Sequence, residues 1–158
     1  MTEPAFDQLL RRLSEAEVEF VLIGGLAVNA WGVVRGTKDV DVVVAPDPAN
    51  LKRVAGVAVA VHGHIQTSES FLSTPPAIAA HLASGERVAI ETELGQLDVV
   101  QGLDGVPTYD ELRAGATEAK VLGIRVLVCS LEDLKAMKRA AGRTRDKADL
   151  EDLDATRD

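Results

Sequence analysis

The sequence predicts an α/β (α+β) fold: a small mixed β-sheet flanked by helices and finished by C-terminal helices. Three observations carry this. An apolar run, Phe20-Val21-Leu22-Ile23, breaks at Gly24-Gly25 into a segment that can wind into a helix. A second run, Asp39-Val40-Asp41-Val42-Val43-Val44, is rich in β-branched residues and alternates with period two. Amphipathic helical stretches lie before and after both, so strand and helix signals alternate along the chain.

Taken in order, Ala5 to Glu15 is read as an amphipathic helix. Phe6, Leu9, Leu10 and Leu13 recur at spacings of three and four, with Arg11, Arg12 and Glu15 largely on the other side. Phe20 to Ile23 forms a strand, Gly24-Gly25 a tight turn, and Leu26 to Trp31 a helix start. Gly32 and the polar link Arg35-Gly36-Thr37-Lys38 lead into the second strand. Pro46-Asp47-Pro48 stops that strand, with Asp47 as N-cap and Pro48 as first residue of a helix reaching about Val57. From Ala58 to Thr74 the pattern weakens: Val59, Val61 and Ile65 suggest a strand interrupted by His62-Gly63-His64, and Ser68 to Thr74 reads as loop. Pro75-Pro76 opens a short helix through Ala83.

Arg87 to Thr92 and Gln96 to Val100 are strands close enough to pair as a hairpin. Pro107 to Ala114 is a short capped helix, and Ala119 to Cys129 is one strand, or a strand pair, around Gly123. Ser130 caps a helix from Leu131 to Ala141 that ends at Gly142. Its buried stripe is read as Leu131, Leu134, Met137 and Ala141, with Lys135, Lys138 and Arg139 on the surface. Asp146 to Ala155, carrying Leu150 and Leu153, is a terminal helix.

At 158 residues and 46% apolar content, the chain is expected to be one domain, residues 1–158, with a core over about 5–129 and a helical tail over 130–158. The single Cys129 cannot form an intramolecular disulfide, which fits a reducing cytoplasm. Met1-Thr2-Glu3-Pro4 has no basic region or long apolar stretch, and Val18 to Trp31 is too short and too broken by glycine to span a membrane. A soluble protein with no membrane partner is expected. The net charge of -8 argues against a general nucleic-acid coat protein, because phosphate neutralisation needs clustered Lys and Arg. It leaves room for a local basic patch.

Asp39 and Asp41 stand side by side, since residues two apart on a strand share a face. Carboxylates that close repel each other unless a cation lies between them or one is protonated. Mg2+ is the economical answer, because it takes oxygen ligands and keeps room for water and substrate phosphates. A lone Asp-x-Asp is more often a solvated strand end. Here aspartate recurs inside Val-rich runs, where it is poorly suited, and Asp98 in the hairpin supplies a third carboxylate. Gly24-Gly25 is read either as a strand-to-helix turn or as a place where backbone N–H groups meet an anion that a side chain would obstruct. Joined to Asp-x-Asp on the next strand, it describes phosphate binding beside a metal.

Gly24-Gly25, thirteen intervening residues, Asp39-Val40-Asp41-Val42 and later Leu97-Asp98-Val99 resemble the nucleotidyltransferase fold of the DNA polymerase beta superfamily. The short length, Arg35-Gly36-Thr37-Lys38 and the tail from Lys135 to Leu150 look like small bacterial members related to AbiEii-type toxins and minimal nucleotidyltransferases. The resemblance covers the core and the tail, and leaves Ala58 to Arg87 unmatched. It implies transfer of NMP from an NTP, such as ATP, to a hydroxyl, with Mg2+ (or Mn2+) as cofactor. Asp39, Asp41 and Asp98 would be the catalytic and metal-binding residues. Gly24, Gly25, Arg35, Thr37 and Lys38 would bind the nucleotide, and Lys135, Lys138, Arg139, Arg143 and Lys147 would form a basic rim. Many relatives have Ser where this chain has Gly25. The implied acceptor is a tRNA end, a protein or a small molecule, and the implied setting is a toxin–antitoxin or defence system with a cognate antitoxin. The competing reading is an inactive nucleotide- or partner-binding module. His62 and His64 read more readily as a turn than as metal ligands, and Trp31 as a packing residue or a base-stacking indole.

Overall fold

The computed structural model describes residues 4–156; Met1 to Glu3, which enter the reading of the N-terminus, and Arg157 and Asp158 of the tail lie outside the described residues. Helices α1 (Phe6–Glu15), α2 (Gly24–Ala30) and α3 (Pro48–Ala60) alternate with strands β1 (Phe20–Ile23) and β2 (Asp39–Val44). Short strands β3 (Ile65–Gln66) and β4 (Phe71–Leu72) follow, then α4 (Pro75–Leu82), β5 (Val88–Thr92), β6 (Gly95–Val99) and α5 (Tyr109–Gly115). Strands β7 (Thr117–Val121) and β8 (Ile124–Val128) and helices α6 (Leu131–Ala141) and α7 (Thr144–Ala155) complete the order.

The six-stranded sheet runs β5-β6-β2-β1-β8-β7, and β3-β4 form a separate two-stranded piece. It is mixed, as expected: β2–β6 and β1–β8 are parallel, and the remaining neighbours are antiparallel. Alternation gives the sheet a dry side. Val40, Val42, Val88, Ile90, Leu97 and Val99 are all buried, while the residues between them on β2 and β6 include the three aspartates. Leu9, Leu10 and Leu13 of α1 are fully buried, each worth about 1.5–3 kcal/mol relative to exposure.

Local signals explain most boundaries. The Asp47 side chain accepts from Asn50 N and Pro48 opens α3. Thr108 and Glu111 form a capping box at α5. The Ser130 hydroxyl accepts from Asp133 N, and Gly142 closes α6 in the left-handed region. Buried Asn50 joins α3 to the sheet by accepting from Glu19 N and donating to the Glu19 and Ala45 carbonyls.

Three expectations are corrected. Val59 and Val61 are not strand residues: α3 continues to Ala60, and the chain then turns through His62, whose φ is 57°. The expected loop after Ser68 contains β4. On α6, Lys135 and Lys138 are buried while Ala141 is exposed, because α7 packs on the side that carries the lysines and supplies them with carboxylates.

Candidate active site

The register of two strands brings the three aspartates together. In the parallel β2–β6 pair Asp41 lies opposite Asp98 and Asp39 opposite Gln96. One carboxylate oxygen from each of Asp39, Asp41 and Asp98 lies within 4.8 Å of the others. Asp98 is 1% exposed and already held from two sides: Arg87 Nη2 donates to Oδ2 at 2.8 Å, and Gln96 Nε2 to Oδ1 at 2.7 Å. Asp41 Oδ1 is buried without a hydrogen-bond partner among the described residues. Burial, then the charges of Asp39 and Asp98, push the Asp41 carboxyl up to about 7. Asp39 is raised as well, by burial first and by Asp98 second.

A divalent cation fits this arrangement. The donors are hard carboxylate oxygens, one of them is buried and unpaired, and the cluster is short of positive charge. Among the described residues Arg87 is the one cation paired directly to it, and its own pKa is raised, chiefly by that hydrogen bond to Asp98.

The glycine pair is wedged between two groups of side chains. Gly24 has φ +69°, and a Cβ there would overlap Asp41 Oδ2. A Cβ on Gly25 would lie 2.7 Å from Thr37 Oγ1 and 2.8 Å from Arg35 Nη1. The turn therefore touches the carboxylate cluster on one side and the polar link on the other, and neither contact leaves room for a side chain. Thr37 Oγ1 donates to the Asp39 carbonyl at 3.0 Å, and the Asn29 amide donates to the Val33 and Arg35 carbonyls, which fixes the link. Trp31 is half-buried and its Nε1 donates to the Cys129 carbonyl.

The other residues expected at the site are spread out. Lys38 is exposed, whereas Arg35 is half-buried with Nε 3.4 Å from Asp149 Oδ1. The five tail cations do not make one rim. Lys135 pairs with Asp154, Lys138 is buried between Asp146 and Asp149, and Arg143 pairs with Asp146. Arg139 and Lys147 are exposed. A cavity of about 270 Å3 opens beside Gly24 and Asp41, with Arg87, Lys138 and Arg143 among its polar lining and Leu134 and Met137 among its apolar lining. His62 pairs with Glu93 and His64 stacks on Phe71, so neither faces the aspartates.

Sequence reasoning missed Arg87, Gln96, Asp146 and Asp149. Gln96 was legible, two residues before Asp98 and so on its face. Arg87 is placed by the hairpin register, and the two tail aspartates by helix packing, which local pattern does not carry.

A family model described as "Nucleotidyl transferase of unknown function (DUF2204)" matches residues 2–158. The chain belongs to this family. Solved structures agree on the fold of this nucleotidyl transferase. The lincomycin-bound crystal structure of the lincosamide antibiotic adenylyltransferase LnuA matches with a TM-score of 0.66 and 16% identity, over 98% of this chain and 97% of that one. The solution structure of antibiotic-resistance factor ANT(2'')-Ia gives a TM-score of 0.64 and 14% identity, over 96% and 82%. A putative nucleotidyltransferase from Thermotoga maritima gives 0.57 and 14%, over 96% and 91%. No curated protein matches the chain. The expected nucleotidyltransferase fold and enzyme class are borne out. Among the described residues no helix is long and apolar enough to cross a membrane.

Proposed function

We propose that this nucleotidyl transferase moves NMP from an NTP to a hydroxyl acceptor and releases pyrophosphate, with a divalent cation, Mg2+ or Mn2+, held by Asp39, Asp41 and Asp98. The single observation that carries this reading is the convergence of three carboxylates around the buried, unpaired Asp41 Oδ1. When bound, the cation would neutralise charge on the triphosphate and on the leaving pyrophosphate.

The chain's own residues have separable tasks. Gly24-Gly25 keeps side chains away from the approaching phosphates, Arg35 and Thr37 supply positive charge and a hydroxyl beside the turn, and exposed Lys38 adds a second cation from the same link. Arg87 and Gln96 fix the orientation of the Asp98 carboxylate. Asp98 accepts the acceptor's hydroxyl proton as the oxygen bonds to the α-phosphorus and the bond from that phosphorus to the pyrophosphate oxygen breaks. With one Asp98 oxygen turned to the cation, the other keeps a lone pair for that proton.

A small-molecule acceptor is favoured over RNA. The net charge is -8, and Lys135 and Lys138 are occupied by carboxylates instead of facing a phosphate backbone. Two proteins of similar fold are an antibiotic adenylyltransferase and an antibiotic-resistance factor. The toxin–antitoxin or defence setting, with its antitoxin, rests on the sequence resemblance alone.

Isothermal titration of each NTP with Mg2+ into the parent and into the Asp39→Ala/Asp41→Ala double variant tests the reading. Saturable, Mg2+-dependent binding is expected in the parent only. No Mg2+-dependent binding by the parent would overturn the enzyme reading.

A further inference from the structure

Resting on the donor-site reading above, we propose that Asp149 and Lys138 on the two C-terminal helices are positioning residues for the nucleotide. Through buried ion pairs they hold the Arg35 guanidinium over the Gly24-Gly25 turn, so the helix pair α6–α7 is part of the donor site.

The geometry forms a continuous chain. Arg35 Nη1 lies 2.8 Å from where a Cβ on Gly25 would stand, so the guanidinium covers the turn. Its Nε is held 3.4 Å from Asp149 Oδ1. Asp149 Oδ2 in turn lies 3.0 Å from Lys138 Nζ, and that nitrogen lies 3.3 Å from Asp146 Oδ1. Arg143 closes the series, donating through Nε to Asp146 Oδ2 at 2.8 Å. Asp146 is 0% exposed, Asp149 3% and Lys138 7%.

Stability alone is a poor reason for such a series. Taking several charges out of water costs more than apolar packing of the same volume, and buried ion pairs are often neutral or unfavourable for folding. What the pairs do supply is orientation. Arg35 sits on a link without regular structure and has a long, flexible side chain, and Asp149 removes most of its freedom before any ligand arrives. An arginine held in advance binds a phosphate without ordering itself on binding, which strengthens binding without a new contact. Asp149 never touches the nucleotide; it acts through Arg35.

The test measures ATP affinity in the presence of Mg2+ for the parent, Arg35→Gln, Asp149→Asn and the double variant, with Tm recorded for each. About a tenfold loss is expected for each single variant, and the double variant should be no weaker than Arg35→Gln. A merely structural tie would lower Tm while leaving ATP affinity unchanged. Asp149→Asn binding ATP like the parent, or losses that multiply in the double variant, would overturn the proposal. Because Asp149→Asn removes one of the two carboxylates beside the buried Lys138, a second measurement keeps Asp149 in place. ATP with Mg2+ should slow amide hydrogen exchange across Thr144–Ala155 in the parent and leave it unchanged in Arg35→Gln, since coupling between sites is reciprocal. Equal protection in both would overturn the proposal. A parent that binds no ATP at all fails the donor-site reading itself. A parent that binds while the variants show no coupling fails only this inference.

Discussion

Asp41→Asn should stabilise the metal-free protein at neutral pH. In the folded chain burial and the neighbouring Asp39 and Asp98 raise Asp41 from 3.8 to about 7. Between those values the folded state keeps a proton that the unfolded state has released, so stability falls as pH rises through the window and levels off above it. At about 1.4 kcal/mol per pH unit, the deficit at pH 8 is about 4 kcal/mol. Asp39 is raised too, so the deficit belongs to the cluster. Asparagine keeps the shape, removes one charge and offers amide protons to the neighbouring carboxylates. For a chain of this length, about 2–4 °C per kcal/mol puts the gain in Tm on the order of 10 °C. The assay is thermal unfolding at pH 5 and pH 8 in chelator, repeated with Mg2+. The parent should lose Tm between pH 5 and pH 8 and recover it with Mg2+, by about 2.7 kcal/mol at one hundred times Kd. The variant should lose less Tm than the parent over the same range, its remaining fall carried by Asp39, and be indifferent to Mg2+. A parent Tm independent of pH in chelator, or a variant less stable than the parent at pH 8, would refute the reasoning.

Other outcomes follow from individual contacts. Arg87→Gln removes one of two partners from an aspartate that is 1% exposed; we expect a loss of about 1–3 kcal/mol in chemical denaturation and a fall in kcat. Gly25→Ala brings a Cβ within 2.7 Å of Thr37 Oγ1 and 2.8 Å of Arg35 Nη1, so ATP affinity measured by titration should drop while the fold persists. Gly24→Ala, which combines φ +69° with overlap on Asp41, should lower both Tm and Mg2+ binding. Cys129, fully buried with its thiol pushed up to about 12, should resist a thiol reagent at pH 8 until denaturant is added.

Wherever local chemistry decides, the fold was legible. Asp47, Thr108, Ser130 and Gly142 each mark a helix end by a hydrogen bond or a backbone conformation that the residue type itself favours. Period two placed Asp39 beside Asp41, and the hairpin carried Asp98 to the same sheet. Which strand pairs with which is a longer-range matter: only the parallel β2–β6 register sets Asp98 opposite Asp41. Between Ala58 and Thr74 the strand at Ile65 was legible, while Val59 and Val61 were misplaced because they suit a buried helix end as well as a strand. In the tail the two helices were legible and the surroundings of their cations were not. Lys135 and Lys138 read as a solvated face because nothing in their own helix reveals that α7 brings Asp146, Asp149 and Asp154 against them. Tertiary packing buried two of the five cations of the expected basic rim, Lys135 and Lys138, against carboxylates and left Arg139, Arg143 and Lys147 exposed.

The central claim is that Asp39, Asp41 and Asp98 jointly hold a divalent cation beside the nucleotide. A crystal grown with Mn2+ and a non-hydrolysable ATP analogue tests it most directly, through the anomalous signal of the metal. The account predicts a peak at ligand distance, about 2.0–2.6 Å, from oxygens of all three aspartates, with the triphosphate against Gly24-Gly25. A metal bound elsewhere, or a triphosphate seated away from that turn, would contradict it.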